Sequence, residues 1–121
     1  MSDEFLRIAR EEINFELDGL KQVLSRCNSD QNIHDKSKLI EKHLHKIKGL
    51  APMMGQNALG ELAQISDVVL RHIINNGILE GSYKIVVESV QKMNELFNGQ
   101  KIDINDFRNK AREAFPQVSE L

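Results

Sequence analysis

The fold class this chain of 121 residues predicts is all-α: an antiparallel up-and-down four-helix bundle with an additional short helix at its C-terminal end. Two observations carry that expectation. Apolar residues recur three and four apart from one end to the other, and nowhere does a period of two persist. The composition is 40% hydrophobic with five phenylalanines, one tyrosine, no tryptophan and two prolines, which suits a core of Leu, Ile, Val and Met between helices. The length fits one domain that buries a core without staples. No internal repeat or low-complexity tract marks a boundary, so 1–121 reads as a single unit.

Phe5, Ile8, Ala9, Ile13, Leu17, Leu20, Val23 and Leu24 mark a first helix from about Asp3 to Arg26, ending in the polar loop Asn28-Ser29-Asp30-Gln31-Asn32. A second helix runs from about Ile33 to Met54. Pro52 lies inside it and removes the amide that would bond the Lys48 carbonyl, so a bend or local loosening is expected there before Gly55 ends the helix. The third helix, from about Asn57 to Asn75, turns Leu59, Leu62, Ala63, Val69, Leu70 and Ile73 inward, and Asn75-Asn76-Gly77 supplies a left-handed cap. These two helices form an antiparallel hairpin. Ser82 or Glu80 opens a fourth helix, in which Ile85, Val86, Val90, Met93, Leu96 and Phe97 recur at helical spacing until Asn98-Gly99 closes it. Four helices then enclose one core. Asp103 is the expected cap of a fifth, accessory helix at about 103–115, presenting Ile104, Phe107, Ala111 and Phe115 and stopped by Pro116. That element is expected to pack outside the bundle or to lead to a linker.

Charge and chemistry narrow the function. A formal net charge of -2 provides no field for nucleic acid or for an anionic membrane. Cys27 is the only cysteine, so no internal disulfide forms, and Met1-Ser2-Asp3-Glu4 lacks the basic-then-apolar pattern of a signal peptide. A cytoplasmic monomer is the expectation. No apolar run approaches the roughly 20 residues that span a bilayer, so any membrane link is through a partner. There is no Gly-rich phosphate loop and no Ser or Cys nucleophile with an identifiable base, so no cofactor is expected. His43 and His45 are two apart and thus on different faces of a helix, and His34 and His72 lack a carboxylate or cysteine at ligand spacing, so no metal site is expected either.

The informative stretch is His45-Lys46-Ile47-Lys48-Gly49-Leu50-Ala51 and onward to Gly55. At 100° per residue, Ile40, Leu44, Ile47, Ala51 and Met54 fall roughly 180° to 260° from His45. His45 therefore looks away from the core, with Lys38, Glu41, Lys48, Gly49 and Pro52 within roughly 60° of it. His43, near 160° on the same count, reads as a partly buried core histidine. An imidazole with an ordinary pKa near 6.5 keeps a neutral, nucleophilic nitrogen at cellular pH and can accept a phosphoryl group. Lys48, one turn on, can reach phosphoryl oxygens by charge-assisted hydrogen bonds. Gly49 costs up to about 1 kcal/mol relative to alanine in a helix interior, and close approach of another protein is a reason for its presence. The lysines Lys36, Lys38, Lys42, Lys46 and Lys48 form either an ordinary solvated face or a cationic surface complementary to an acidic partner.

The spacing His45-x-x-Lys48-Gly49-x-Ala51 followed by Gly55 resembles the signature of histidine-containing phosphotransfer domains. The fuller string HKIKGLAPMMG is similar to the variant in the N-terminal domain of chemotaxis-type histidine kinases, and Asp3 to Arg26 also resembles the first helix of that domain. The resemblance implies a carrier in a two-component phosphorelay. Its His45 would take a phosphoryl group from a histidine kinase domain in cis or trans and pass it to an aspartate of a response-regulator receiver domain, with no ATP site of its own. In the kinases resembled, the third helix contributes a histidine and, three residues later, a glutamate around the phosphorylated ring. Ungapped counting from His45 puts Gln64 and Asp67 at those places, and both depart from the family pattern. Asp67 can accept the proton of the second ring nitrogen, one methylene shorter; Gln64 cannot titrate. The alternative is a non-phosphorylated helical adaptor docking a partner through the same stripe. An enzyme using His45 as general base would need an enclosing cleft and an acid partner.

Overall fold

A computed structural model describes residues 2–121. It contains α1 (Asp3–Leu24), α2 (Asp30–Asp35), α3 (Ser37–Met53), α4 (Asn57–Asn76), α5 (Ser82–Phe97) and α6 (Ile104–Ala114), and no strand among the described residues. The apolar positions spaced three and four apart are the ones that go inside. Ile13, Leu17 and Leu20 of α1, Ile40, Leu44 and Ile47 of α3, and Leu59, Leu62 and Leu70 of α4 are buried in one continuous core. The α3 helix lies most extensively along α4 and also against α1, while α5 meets α4, α1 and α2. No helix among the described residues is long and apolar enough to cross a membrane.

Three expectations need correction. The helix expected from Ile33 to Met54 is two helices, broken at Lys36 (φ −103°, ψ 9°). The start lies within the supposed loop, because Ser29 accepts a hydrogen bond from the Asn32 amide at 3.2 Å and caps α2. The break lets α2 lie against α5, where the Asp30 carboxylate accepts from the amides of Gly81 at 2.9 Å and Tyr83 at 2.8 Å. That contact settles the second point. Neither Ser82 nor Glu80 caps α5; Ser82 is its buried first residue, and the free amides of the first turn are met by an acid from another helix. The third concerns α6, capped as expected by Asp103, which accepts from the Asp106 amide at 3.0 Å. It is not peripheral: Phe107, Ala111 and Phe115 join the common core, with α6 against α4. Two wholly buried phenylalanines contribute on the order of 3–6 kcal/mol, too much for a loose appendage.

The α3–α4 corner positions the site. Gly55 (φ +79°) lets the chain reverse, with its amide donating to Pro52 O at 3.0 Å and the Gln56 amide to Ala51 O at 2.8 Å. This paired bonding satisfies the last carbonyls of α3. Pro52 does not stop the helix, which continues to Met53. Its ring is seated on Gly60 of α4, where a Cβ would come within 2.8 Å of Pro52 Cγ.

Candidate functional site

With Leu44, Ile47 and Ala51 wholly buried, the opposite side of α3 faces outward. His45 stands there with its side chain 68% exposed, its Nδ1 3.9 Å from Glu41 Oε2 one turn earlier. Beneath it lies Asp67 of α4, 0% exposed. Its Oδ2 accepts from Lys48 Nζ at 2.8 Å and pairs with Arg71 Nε at 3.1 Å, while its Oδ1 has no hydrogen-bond partner. One ligating atom each from Glu41, His45 and Asp67 lie within 4.8 Å of one another.

The two acids at this spot titrate far apart. Burial pushes the Asp67 carboxyl up, but a hydrogen bond from Glu41, the hydrogen bond from Lys48 and the charges of Lys48 and Arg71 outweigh it and hold Asp67 below its ordinary value. Glu41 moves the other way, from 4.5 to about 7, because it shares its proton with Asp67, is partly desolvated and faces the Asp67 charge; Lys48 and Arg71 only partly oppose this. A protonated Glu41 can donate to Asp67, whose Oδ1 is otherwise without a partner.

The sequence-derived residues separate into groups. Lys38, Lys42 and Gly49 are exposed on the outward face of α3. A Cβ built on Gly49 meets nothing within 4 Å, so internal packing gives no reason for a glycine there. Pro52 is exposed yet also braces α3 on Gly60. Lys48 does not reach freely into solvent, being held by Asp67. Gln64 lies exposed on α4 one turn before Asp67. Nearest to the ring is Glu41, a residue expected only at a partner surface, whereas Asp67 directs one oxygen to two cations. Arg71 was missed, although its place four residues after Asp67 on a helix is a recognisable pairing signal. The expectation of no metal site rested on spacing along the chain, and the Glu41, His45 and Asp67 set is assembled across two helices.

A second acid is buried on the other flank of α3. Glu16 of α1, 1% exposed, has His43 Nδ1 2.7 Å from its Oε1 and Lys46 Nζ 3.5 Å from its Oε2. Burial raises its carboxyl, but hydrogen bonds from His43 and Glu12 and the charges of Lys46 and His43 win and hold it below its ordinary value. His43 is 16% exposed, half-buried as its position on the helix predicts, but clamped by an acid that the apolar pattern of α1 conceals. Gly19 makes room for it: a Cβ there would stand 2.5 Å from His43 Cε1.

Chemically, the outward face offers an accessible imidazole whose Nδ1 is turned toward a carboxyl group, leaving Nε2 on the far edge of the ring. No family model, curated protein or solved structure matches this chain.

Proposed function

We propose that the chain is a histidine phosphotransfer domain of a two-component phosphorelay, built as an antiparallel up-and-down bundle of α1, α3, α4 and α5 with α2 and α6 packed around it. His45 is the phosphoryl acceptor, and the observation that carries the reading is its 68% exposure directly opposite a wholly buried apolar stripe. With the Nδ1 proton directed at Glu41, the lone pair lies on Nε2. That pair attacks the phosphorus of the donor, the bond from phosphorus to the donor's leaving atom breaks, and the developing positive charge on the ring is balanced by the carboxyl groups beside Nδ1. In the onward step, a carboxylate oxygen of a receiver-domain aspartate attacks the same phosphorus, and the Nε2–P bond returns its electron pair to the ring.

The neighbours have roles in this scheme. Lys48 turns from Asp67 toward the phosphoryl oxygens, with Arg71 left to hold Asp67. Gly49 gives the receiver's backbone room next to the ring, and Lys38 and Lys42 attract its acidic pocket. The donor is a histidine kinase domain in cis or in trans, since nothing here resembles a nucleotide pocket. The setting proposed is the cytoplasm, where such relays operate, and the carrier acts as a monomer.

The test is incubation with a kinase or with phosphoramidate, followed by a search for an acid-labile, alkali-stable adduct. One phosphoryl group per chain, lost in His45→Gln, is the expected result. Labelling that survives in His45→Gln, or none in the unmodified protein, overturns the assignment.

A further inference from the structure

We propose that Glu41, His45 and Asp67 form a binding site for a divalent transition-metal ion of the zinc class. Three ligating atoms within 4.8 Å of one another, with Glu41 Oε2 and His45 Nδ1 3.9 Å apart, lie close to what such an ion requires. Zinc holds nitrogen and oxygen ligands at about 2.0–2.2 Å in a tetrahedron, which sets neighbouring ligand atoms about 3.3–3.5 Å apart. Side-chain rotation of roughly half an ångström closes the Glu41 to His45 gap to that value.

Asp67 supplies the independent reason. It is wholly buried, and its Oδ1 has no partner in the fold except a proton carried by Glu41, which a bound ion would displace. Lys48 and Arg71 both engage Oδ2, so they fix the group's orientation and leave Oδ1 available, as outer-sphere partners do for metal-binding carboxylates. One imidazole nitrogen with two carboxylate oxygens suits zinc and its neighbours better than calcium or magnesium, which take oxygen alone. The exposed side of His45 leaves room for water to complete the coordination. The two cations oppose the ion's charge and make its binding weaker than at a structural zinc site. The Glu16 cluster offers no equivalent: among the described residues, Glu41, His45 and Asp67 are the one set of three such groups whose ligating atoms come this close together.

A metal on Nδ1 leaves the ring proton on Nε2, where there is then no lone pair. A filled site therefore cannot accept a phosphoryl group, a consequence that rests on the phosphotransfer reading, whereas metal binding itself does not.

Zinc chloride titrated calorimetrically into the full chain should report one site, weakened at least tenfold in His45→Gln and in Glu41→Gln and unchanged in His72→Gln. Both weakening variants alter side chains that are at least partly exposed, so the result does not depend on the buried Asp67 tolerating substitution. Absent binding, or binding that His45→Gln and Glu41→Gln leave intact, overturns the site. Phosphoramidate labelling is then compared with and without saturating zinc, and a tenfold or greater loss that a chelator reverses is expected. Undiminished labelling of the zinc-loaded protein overturns the blocking role. No labelling of zinc-free protein overturns the phosphotransfer reading and leaves the calorimetric result standing.

Discussion

The two flanks of α3 carry the same ingredients arranged to opposite effect. On one, Glu16 rises from α1 to meet His43 and Lys46; on the other, Asp67 rises from α4 to meet Lys48 beside His45. Each flank has a buried acid, a histidine and a lysine three residues after that histidine. The difference is which group the acid engages. Glu16 takes the ring itself, at 2.7 Å, and the lysine is the outer partner at 3.5 Å. Asp67 takes two cations, at 2.8 and 3.1 Å, and leaves the ring to a half-buried glutamate 3.9 Å away. A histidine held by a buried acid becomes a brace between helices. One beside an acid that spends an oxygen on two cations, and none on the ring, stays available for chemistry.

Substituting the two acids attacks this contrast most directly. Asp67→Ala removes the partner of both Lys48 and Arg71 and should cost about 3 kcal/mol. Glu16→Ala, which loses one ring contact and a longer lysine pair, should cost about 2 kcal/mol. Urea unfolding midpoints rank them, and a larger loss for Glu16→Ala would reverse the account of which flank is the more heavily charged.

The two glycines should respond with opposite signs. Gly19→Ala drives a methyl group into the His43 ring and is expected to destabilise by about 1–2 kcal/mol. Gly49→Ala enters open space within a helix and should stabilise by up to about 1 kcal/mol. Under the proposed function, Gly49→Ala also slows transfer to a receiver domain while leaving labelling by phosphoramidate unchanged. Thermal melts separate the first pair of outcomes, and a single-turnover transfer assay tests the second.

The smallest effect is a pH slope. Glu41 titrates higher in the folded chain, near 7, than its ordinary 4.5. Its contribution is therefore fully present below the ordinary value, declines as pH rises from about 4.5, and is lost through about 7. Asp67 and Glu16 are lowered, so theirs is present above the ordinary carboxylate range and lost as pH falls through their folded values. Melting temperatures should decline gently from pH 5 to pH 8 and, separately, toward strong acid. Glu41→Gln should flatten the first decline and keep the second; a slope retained in that variant would remove Glu41 as its source.

The outward placement of His45 was legible because a helix face follows from the 100° advance per residue and a run of apolar side chains at positions such as Leu44, Ile47 and Ala51. The same count put His43 at the edge of the core. Glu16 was not legible: it sits one residue before Leu17 on an ordinary amphipathic pattern, and only the overlying His43 and Lys46 make its burial tolerable. The interruption at Lys36 was hidden for a related reason. Its local residues are compatible with continued helix, and the contact that draws α2 aside is between Asp30 and the start of α5, about fifty residues later.

Periodicity and punctuation alone determined the all-helical character, the turn at Gly55, the caps at Asp103 and Gly77, and the exposure of one imidazole, since each depends on backbone geometry within a few neighbouring residues. Tertiary structure decided which acid each histidine and lysine meets, that α6 belongs to the core, and that Asp67 lies close enough to Glu41 to hold its carboxyl up. Those outcomes depend on distances between helices, and a buried charge is tolerated only where a partner from another helix arrives to compensate for the water it has lost.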